Sequence, residues 1–193
     1  YWDRSAESTQ DKYMGNITNG ADLYDFEGYK IYRATDFEFN DAYNITDGDG
    51  NPTFLEPYVQ NGIRAQWDLV DGKSGWHPVD LNGIKFYLGD DTGLTHSYVD
   101  HNVVNGQRYY YAVVSYDYGG DLSNNIIPSD SPMKLRVNPL TGAVSLGPNV
   151  VEVVPSPPSA GFVDASFAGD QVDHVFGASS GEVFLEIVDP QMV

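Results

Sequence analysis

The run Asn105-Gly106-Gln107-Arg108-Tyr109-Tyr110-Tyr111-Ala112-Val113-Val114-Ser115-Tyr116-Asp117 constrains the fold more than any other stretch. Asn-Gly tolerates positive φ at both residues, so a type I′ turn is expected there. The aromatic and β-branched residues that follow read as a strand. At a period of two, Tyr109, Tyr111, Val113 and Ser115 share one face, and Tyr110, Ala112, Val114 and Tyr116 share the other. Both faces are largely apolar, which predicts a central strand covered on two sides. Asp117 and the Gly119-Gly120 pair end it. A strand of this kind needs a partner layer, and a β-sandwich supplies one.

Elsewhere the pattern is also that of strands. Phe26-Glu27-Gly28-Tyr29-Lys30-Ile31-Tyr32-Arg33 predicts a strand within residues 24–34, after a polar loop over 4–23 with one helical turn near Glu7. Asp36 to Asn40 reads as a turn, and Ile45 to Pro52 as a tight loop. Gln60 to Val70 and Leu81 to Gly89 each read as an Asn-Gly turn with a strand. His96 to Asp100 predicts a short strand and Met133 to Val137 a last one. Asn138 to Gly142 reads as a junction, followed by an apolar stretch at 144–154, a proline-rich break, and a strand from Gly181 to Asp189. The expected organisation is an all-β sandwich over residues 1–138, with an insertion at about 41–95. Residues 139–193 would then be a linker and a partial second β module or an assembly extension.

Val104-Asn105-Gly106-Gln107-Arg108-Tyr109 with alternating Tyr111 and Val113 resembles the sixth strand of a fibronectin type III domain. Tyr109 matches the tyrosine whose hydroxyl folds back onto the backbone in that fold. The stretch Phe26 to Arg33 resembles the third strand, in which Tyr29 alternates with its neighbours, and Trp2 fits the buried tryptophan that ends the second. The pairing of the two stretches resembles modules of large secreted bacterial surface proteins. The resemblance implies an immunoglobulin-like sandwich at an extracellular or cell-surface location. It also implies that the first strand and most of the second lie upstream of Tyr1. Trp2, Tyr29, Tyr109 and Tyr111 are its structural residues.

Charge narrows the function classes. With 28 acidic and 10 basic residues the formal charge is −18, and 21 of the acids are aspartate. Such a surface repels phosphate backbones and anionic membranes, so nucleic acid is not an expected partner. It suits solubility in a salty medium, and aspartates equally suit oxygen-ligand cation sites. Cysteine is absent, which removes disulfides and thiolate metal sites. No segment reaches the ~20 apolar residues of a membrane helix, so no membrane insertion is expected.

Asp47-Gly48-Asp49-Gly50-Asn51 sets three oxygen-bearing side chains at alternate positions, a pattern open to two readings, a calcium loop or a plain Asp/Gly turn. Asp90 and Asp91 form a weaker acidic turn of the same kind. Calcium is the only cofactor these residues suggest. His77, His96, His101 and His174 read as turn or surface residues, and His96 and His101 fall on opposite faces of a strand, a poor metal pair. No nucleophile elbow, phosphate loop or distinct carboxylate pair is present, so the chain is expected not to be an enzyme. Tyr58, Trp67, Trp76 and Tyr87 lie in the insertion and would suit either a partner surface or stacking on sugar rings.

The reading is a non-catalytic structural or adhesive module that spaces or assembles a cell-surface or filament protein. Its partners would be neighbouring modules or identical subunits, met through open β-strand edges. The alternative is a carbohydrate-binding accessory module of a secreted hydrolase, with a polysaccharide as its partner.

Overall fold

The computed structural model describes residues 1–20, 22–133 and 135–161. The chain divides into two compact units, Tyr1–Pro155 and Ser156–Val193. A 3-10 turn (Ser5–Ser8) and a short helix α1 (Lys12–Ile17) precede the strands β1 (Phe26–Ala34), β2 (Asn44–Thr46), β3 (Pro52–Leu55), β4 (Val59–Gln60), β5 (Ile63–Arg64) and β6 (Gln66–Asp68). Then come β7 (Trp76–Leu81), β8 (Ile84–Tyr87), β9 (Tyr109–Asp117), β10 (Leu135–Val137), β11 (Val144–Leu146) and β12 (Val150–Val153). All of these belong to the first unit. The fold is all-β, and among the described residues every strand pairing is antiparallel.

The central sheet has the order β12-β9-β1-β6. The two long strands form its spine, with Tyr29 opposite Ser115, Ile31 opposite Val113 and Tyr32 opposite Ala112. One face packs the main core, in which Tyr32, Ala34, Tyr110, Ala112, Val114 and Val150 close around Phe39. Further along the same strands Tyr116 packs with Phe86 and Leu88. Removing each such side chain from water stabilises the fold by about 1.5–3 kcal/mol. The small residues matter as much as the large ones. At Gly28 a Cβ would sit 2.2 Å from the Trp67 carbonyl oxygen and 2.7 Å from the Tyr116 hydroxyl, so only glycine lets β6 lie this close to β1.

Lys30 is buried on the core side, its ammonium 3.3 Å from Asp130 and 3.5 Å from the centre of the Phe86 ring. Tyr32 donates its hydroxyl hydrogen bond to the other oxygen of the same carboxylate. The ion pair and the ring face together compensate the desolvated ammonium.

Several expectations are corrected. The turn at Asn105-Gly106 has positive φ at Gly106 alone, with Gln107 N donating to Val104 O at 3.1 Å, so it is type II and not type I′. The type I′ pattern occurs instead at Asn61-Gly62 and Asn82-Gly83, which close the β4–β5 and β7–β8 hairpins. Residues 96–100 form no strand, because their polar groups go to side chains such as Arg33 and Gln60 and not to a ladder. β10 is not the last strand of the central sheet. It pairs with β11, and β12 takes the place beside β9, so the compact unit runs to Pro155 and not to 138. β6, inside the expected insertion, is likewise part of the central sheet. The polar loop over 4–23 holds a second helical element, α1, capped by Asp11. The strand expected at Gly181–Asp189 and the residue His174 lie outside the described residues.

Candidate functional site

The face of the central sheet opposite the core is the candidate site. Register puts Tyr29, Ile31, Tyr111, Val113, Ser115, Val151 and Trp67 on it. One end is covered. Trp2 packs against Tyr29 and Trp67 with ring centroids 5.8 Å from each, and its backbone N–H donates to His96 O at 3.0 Å. His96 Nε2 lies 2.6 Å from a Glu7 carboxylate oxygen and its ring stands against Tyr29. Tyr109, as expected, returns its hydroxyl to the backbone and accepts from Val104 N at 3.0 Å.

Among the described residues the other end is only partly covered: Ile31 is buried, while Tyr111 and Val113 are half-buried. A groove of about 980 Å³ runs over Ile31, Tyr111, Val113, Val151 and Val153, with Tyr1 and Trp2 at its rim. Val151 and Val153 are 52% and 41% exposed, although β12 is hydrogen-bonded into the sheet. Antiparallel sheets with one wet face ordinarily carry polar side chains there. This one carries valines and a tyrosine beside Ser115, Ser131 and Asn149, and among the described residues Asp3 is the only charged one along the groove.

A second concavity, of about 640 Å³, lies at the β6 edge between Trp67, Tyr87 and Tyr98, with Asn61, Arg64 and Asp90 around it. Of the four aromatics singled out in the sequence, Trp67 and Tyr87 meet here. Trp76 is 59% exposed and stands edge-on to Tyr87 at 66°. Tyr58 does not line the cleft; it stands edge-on to Tyr98, under the Arg33 guanidinium. The ring pairs in contact are therefore tilted or edge-on, not coplanar. Tyr87 donates to Asp90, and Arg64 Nε donates to Glu56 at 2.6 Å.

The acidic turns satisfy themselves. Asp47 accepts from the backbone N–H groups of Asp49 (3.0 Å) and Asn51 (2.9 Å) and from the Asn51 amide. The Asn51 bonds above all hold its carboxyl below the usual range. Asp91 accepts from Gly72 N and Asp71 N, again with a lowered carboxyl value, and Gly72 is the main cause. Asp49 stays exposed. Among the described residues the two turns do not bring three carboxylates within reach of one ion; the acids that do converge are Asp11, Asp25 and Asp117. Their separation in sequence hides them from any motif.

Two buried groups also escape sequence reasoning. Asp100 gathers Arg33 (2.8 Å), Tyr111 (2.7 Å) and Tyr58 (3.2 Å), so that burial, which raises its carboxyl, is outweighed and the group ends below its ordinary value. His77, expected at the surface, is fully buried beside Tyr118 because it sits on the inward side of β7. His101 is exposed, as expected.

No protein-family profile, no curated protein and no solved structure matches this chain. Among the described residues no helix is long and apolar enough to cross a membrane.

Proposed function

We propose that the chain is a non-catalytic structural or adhesive module of an extracellular protein, and that it assembles with a second copy through the uncovered face of its central sheet. The groove over Tyr111, Val113, Val151 and Val153 carries this reading. Exposed apolar surface that is contiguous, and rimmed by polar residues, marks a contact site. Charge argues for a copy of the same chain. A molecule of formal charge −18 repels its own kind over most of its surface, and this nearly uncharged face is where two copies meet with least repulsion. A symmetric contact uses one patch twice, which suits a sheet stacked on a sheet. β12 borders the patch and has a free outer edge among the described residues, so strand pairing extends the contact.

Sedimentation velocity over a concentration series tests the reading. Wild type is expected to self-associate from micromolar to submillimolar concentration, and Val113→Asp with Val151→Asp to stay monomeric with a cooperative melt. A wild type that remains monomeric throughout would overturn it.

The cleft at Trp67, Tyr87 and Tyr98 supports a second reading, a carbohydrate-binding accessory module. Aromatic walls beside Asn61, Arg64 and Asp90 combine stacking surface with polar groups. Quenching of tryptophan fluorescence by soluble oligosaccharides, lost in Trp67→Ala, is its expected signature; unchanged emission at millimolar sugar would exclude it.

A further inference from the structure

We propose that Asp11, Asp25 and Asp117 form a calcium site that ties the N-terminal segment to the ends of the two central strands. Each residue offers one carboxylate oxygen, and these oxygens all lie within 4.8 Å of one another. Calcium holds six to eight oxygens at about 2.3–2.6 Å, so two oxygens across one ion are separated by up to about 5 Å. The three carboxylates can therefore share one ion, with water completing the shell.

The cluster is more than a group of surface acids. Asp25 is only 7% exposed, and its Oδ2 is buried with no hydrogen-bond partner among the described residues. Leaving a buried carboxylate oxygen unpaired is costly, and the free energy is recovered when a cation arrives. The other two side chains are partly committed in ways that position them. Asp11 Oδ1 accepts from Tyr13 N at 2.7 Å and Met14 N at 3.0 Å. Asp117 accepts from Ser129 N at 2.8 Å and Ser129 Oγ at 2.7 Å. Each Asp117 oxygen accepts one such bond and keeps a lone pair to face an ion, while Asp11 takes both of its bonds on Oδ1, which leaves the lone pairs of Oδ2.

Backbone bonds hold the three segments together. Asp11 N donates to Leu23 O at 2.9 Å, and Tyr118 N donates to Asp25 O at 2.7 Å. One hydrogen bond thus joins the start of α1 to the approach to β1, and the other joins that approach to the end of β9. The site is built on paired backbone, not on a free loop.

The local charge has one sign. Burial first, then Asp117, Asp11 and Asp22, push the Asp25 carboxyl up to about 6. Asp117 is raised too, by burial before Asp11 and Asp130, against the lowering effect of Ser129. Glu27, the other buried acid with orphaned oxygens among the described residues, differs in having Lys73 among the charges that act on it. At the aspartate cluster the acting charges are all acidic, and the donors are all hard oxygens. That chemistry selects a hard divalent cation over zinc or copper. A shell of mixed, unequal carboxylates suits calcium better than the strict octahedron of magnesium.

Calorimetric titration of calcium chloride into the whole chain in metal-free buffer tests the site, with tyrosine-sensitised terbium emission as a second readout. Wild type is expected to bind one ion with Kd of about 10 µM to 1 mM, and magnesium at least ~10-fold more weakly. Asp25→Asn and Asp11→Asn are each expected to weaken binding at least ~10-fold. Asp47→Asn is expected to leave binding unchanged. Asp25→Asn removes a repelled buried charge, so its melting temperature without calcium should equal or exceed that of wild type, and a loss of binding is then not a loss of fold. Absence of both signals in wild type at millimolar ion, magnesium binding as tight as calcium, or undiminished binding by Asp25→Asn would each overturn the assignment.

Discussion

Lys30, Asp130 and Tyr32 show what a single buried charge demands. Burial, ahead of the compensating attraction of Asp130, lowers the Lys30 ammonium from its usual value, and the group is nevertheless held by that one carboxylate and two rings. Asp130→Asn strands the ammonium and is expected to cost about 3–5 kcal/mol in urea denaturation, whereas Lys30→Met removes the charge with its need and should fall within about 1 kcal/mol of wild type or above it. Equal losses in the two variants would contradict this account. Glu27 makes the opposite case. It is fully buried, both carboxylate oxygens lack partners among the described residues, and burial with Asp71 nearby pushes its carboxyl up to about 8. The unfolded chain releases this proton near 4.5, while the folded chain keeps it to about 8. Between those values the folded state binds the extra proton, so stability falls as pH rises through the window. The melting temperature of wild type should drop between pH 5 and pH 9 more than that of Glu27→Gln, as scanning calorimetry would read directly. None of these partnerships was legible in the sequence. Lys30 and Glu27 are three residues apart, so they fall on opposite faces of an alternating strand and nothing in the pattern marks either as buried; the packing of Phe86 over one end of β1 buries the lysine.

Strands were more legible than their neighbours. Composition and period identify β1 and β9, because aromatic and β-branched side chains make up four of the nine residues of β1 and six of the nine of β9. Position in the sheet was not legible for the short strands. β10 alternates cleanly yet pairs locally with β11, while β12, with three valines and a glutamate, fills the edge beside β9. A three- or four-residue strand carries too little pattern to specify a partner, and tertiary packing decides. The same holds for the turns, since Asn-Gly accepts type II as readily as type I′ when the flanking chain is not a hairpin. Gly28 is the element-scale residue that the alternation gives no reason to notice. Gly28→Ala places a methyl against the Trp67 carbonyl and the Tyr116 ring and is expected to destabilise by about 1–3 kcal/mol or more, with β6 displaced from β1. Hydrogen exchange should then quicken at Gln66–Asp68 while the β1–β9 ladder stays protected. Unchanged exchange at β6 would argue against the close approach.

At the scale of the whole molecule two facts stand against each other, a strongly negative chain and one sheet face left nearly uncharged and apolar. The all-β class followed from the sequence, and so did the double-sided hydrophobicity of β9. The second covering layer did not, because a strand that is apolar on both faces predicts burial without saying what buries it. Here the described chain covers one end of the face with Trp2 and His96 and leaves Tyr111, Val113, Val151 and Val153 lining an open groove. The most direct test is the methyl NMR spectrum of the valine-labelled chain, followed as its concentration rises. Adjacent residues report opposite faces: Val113 and Val151 face the groove, while Val114 and Val150 sit in the core. Shifts that grow with concentration at Val113, Val151 and Val153, with Val114 and Val150 still, are the predicted result. Static spectra, or shifts confined to Val59 beside the aromatic cleft, would contradict it.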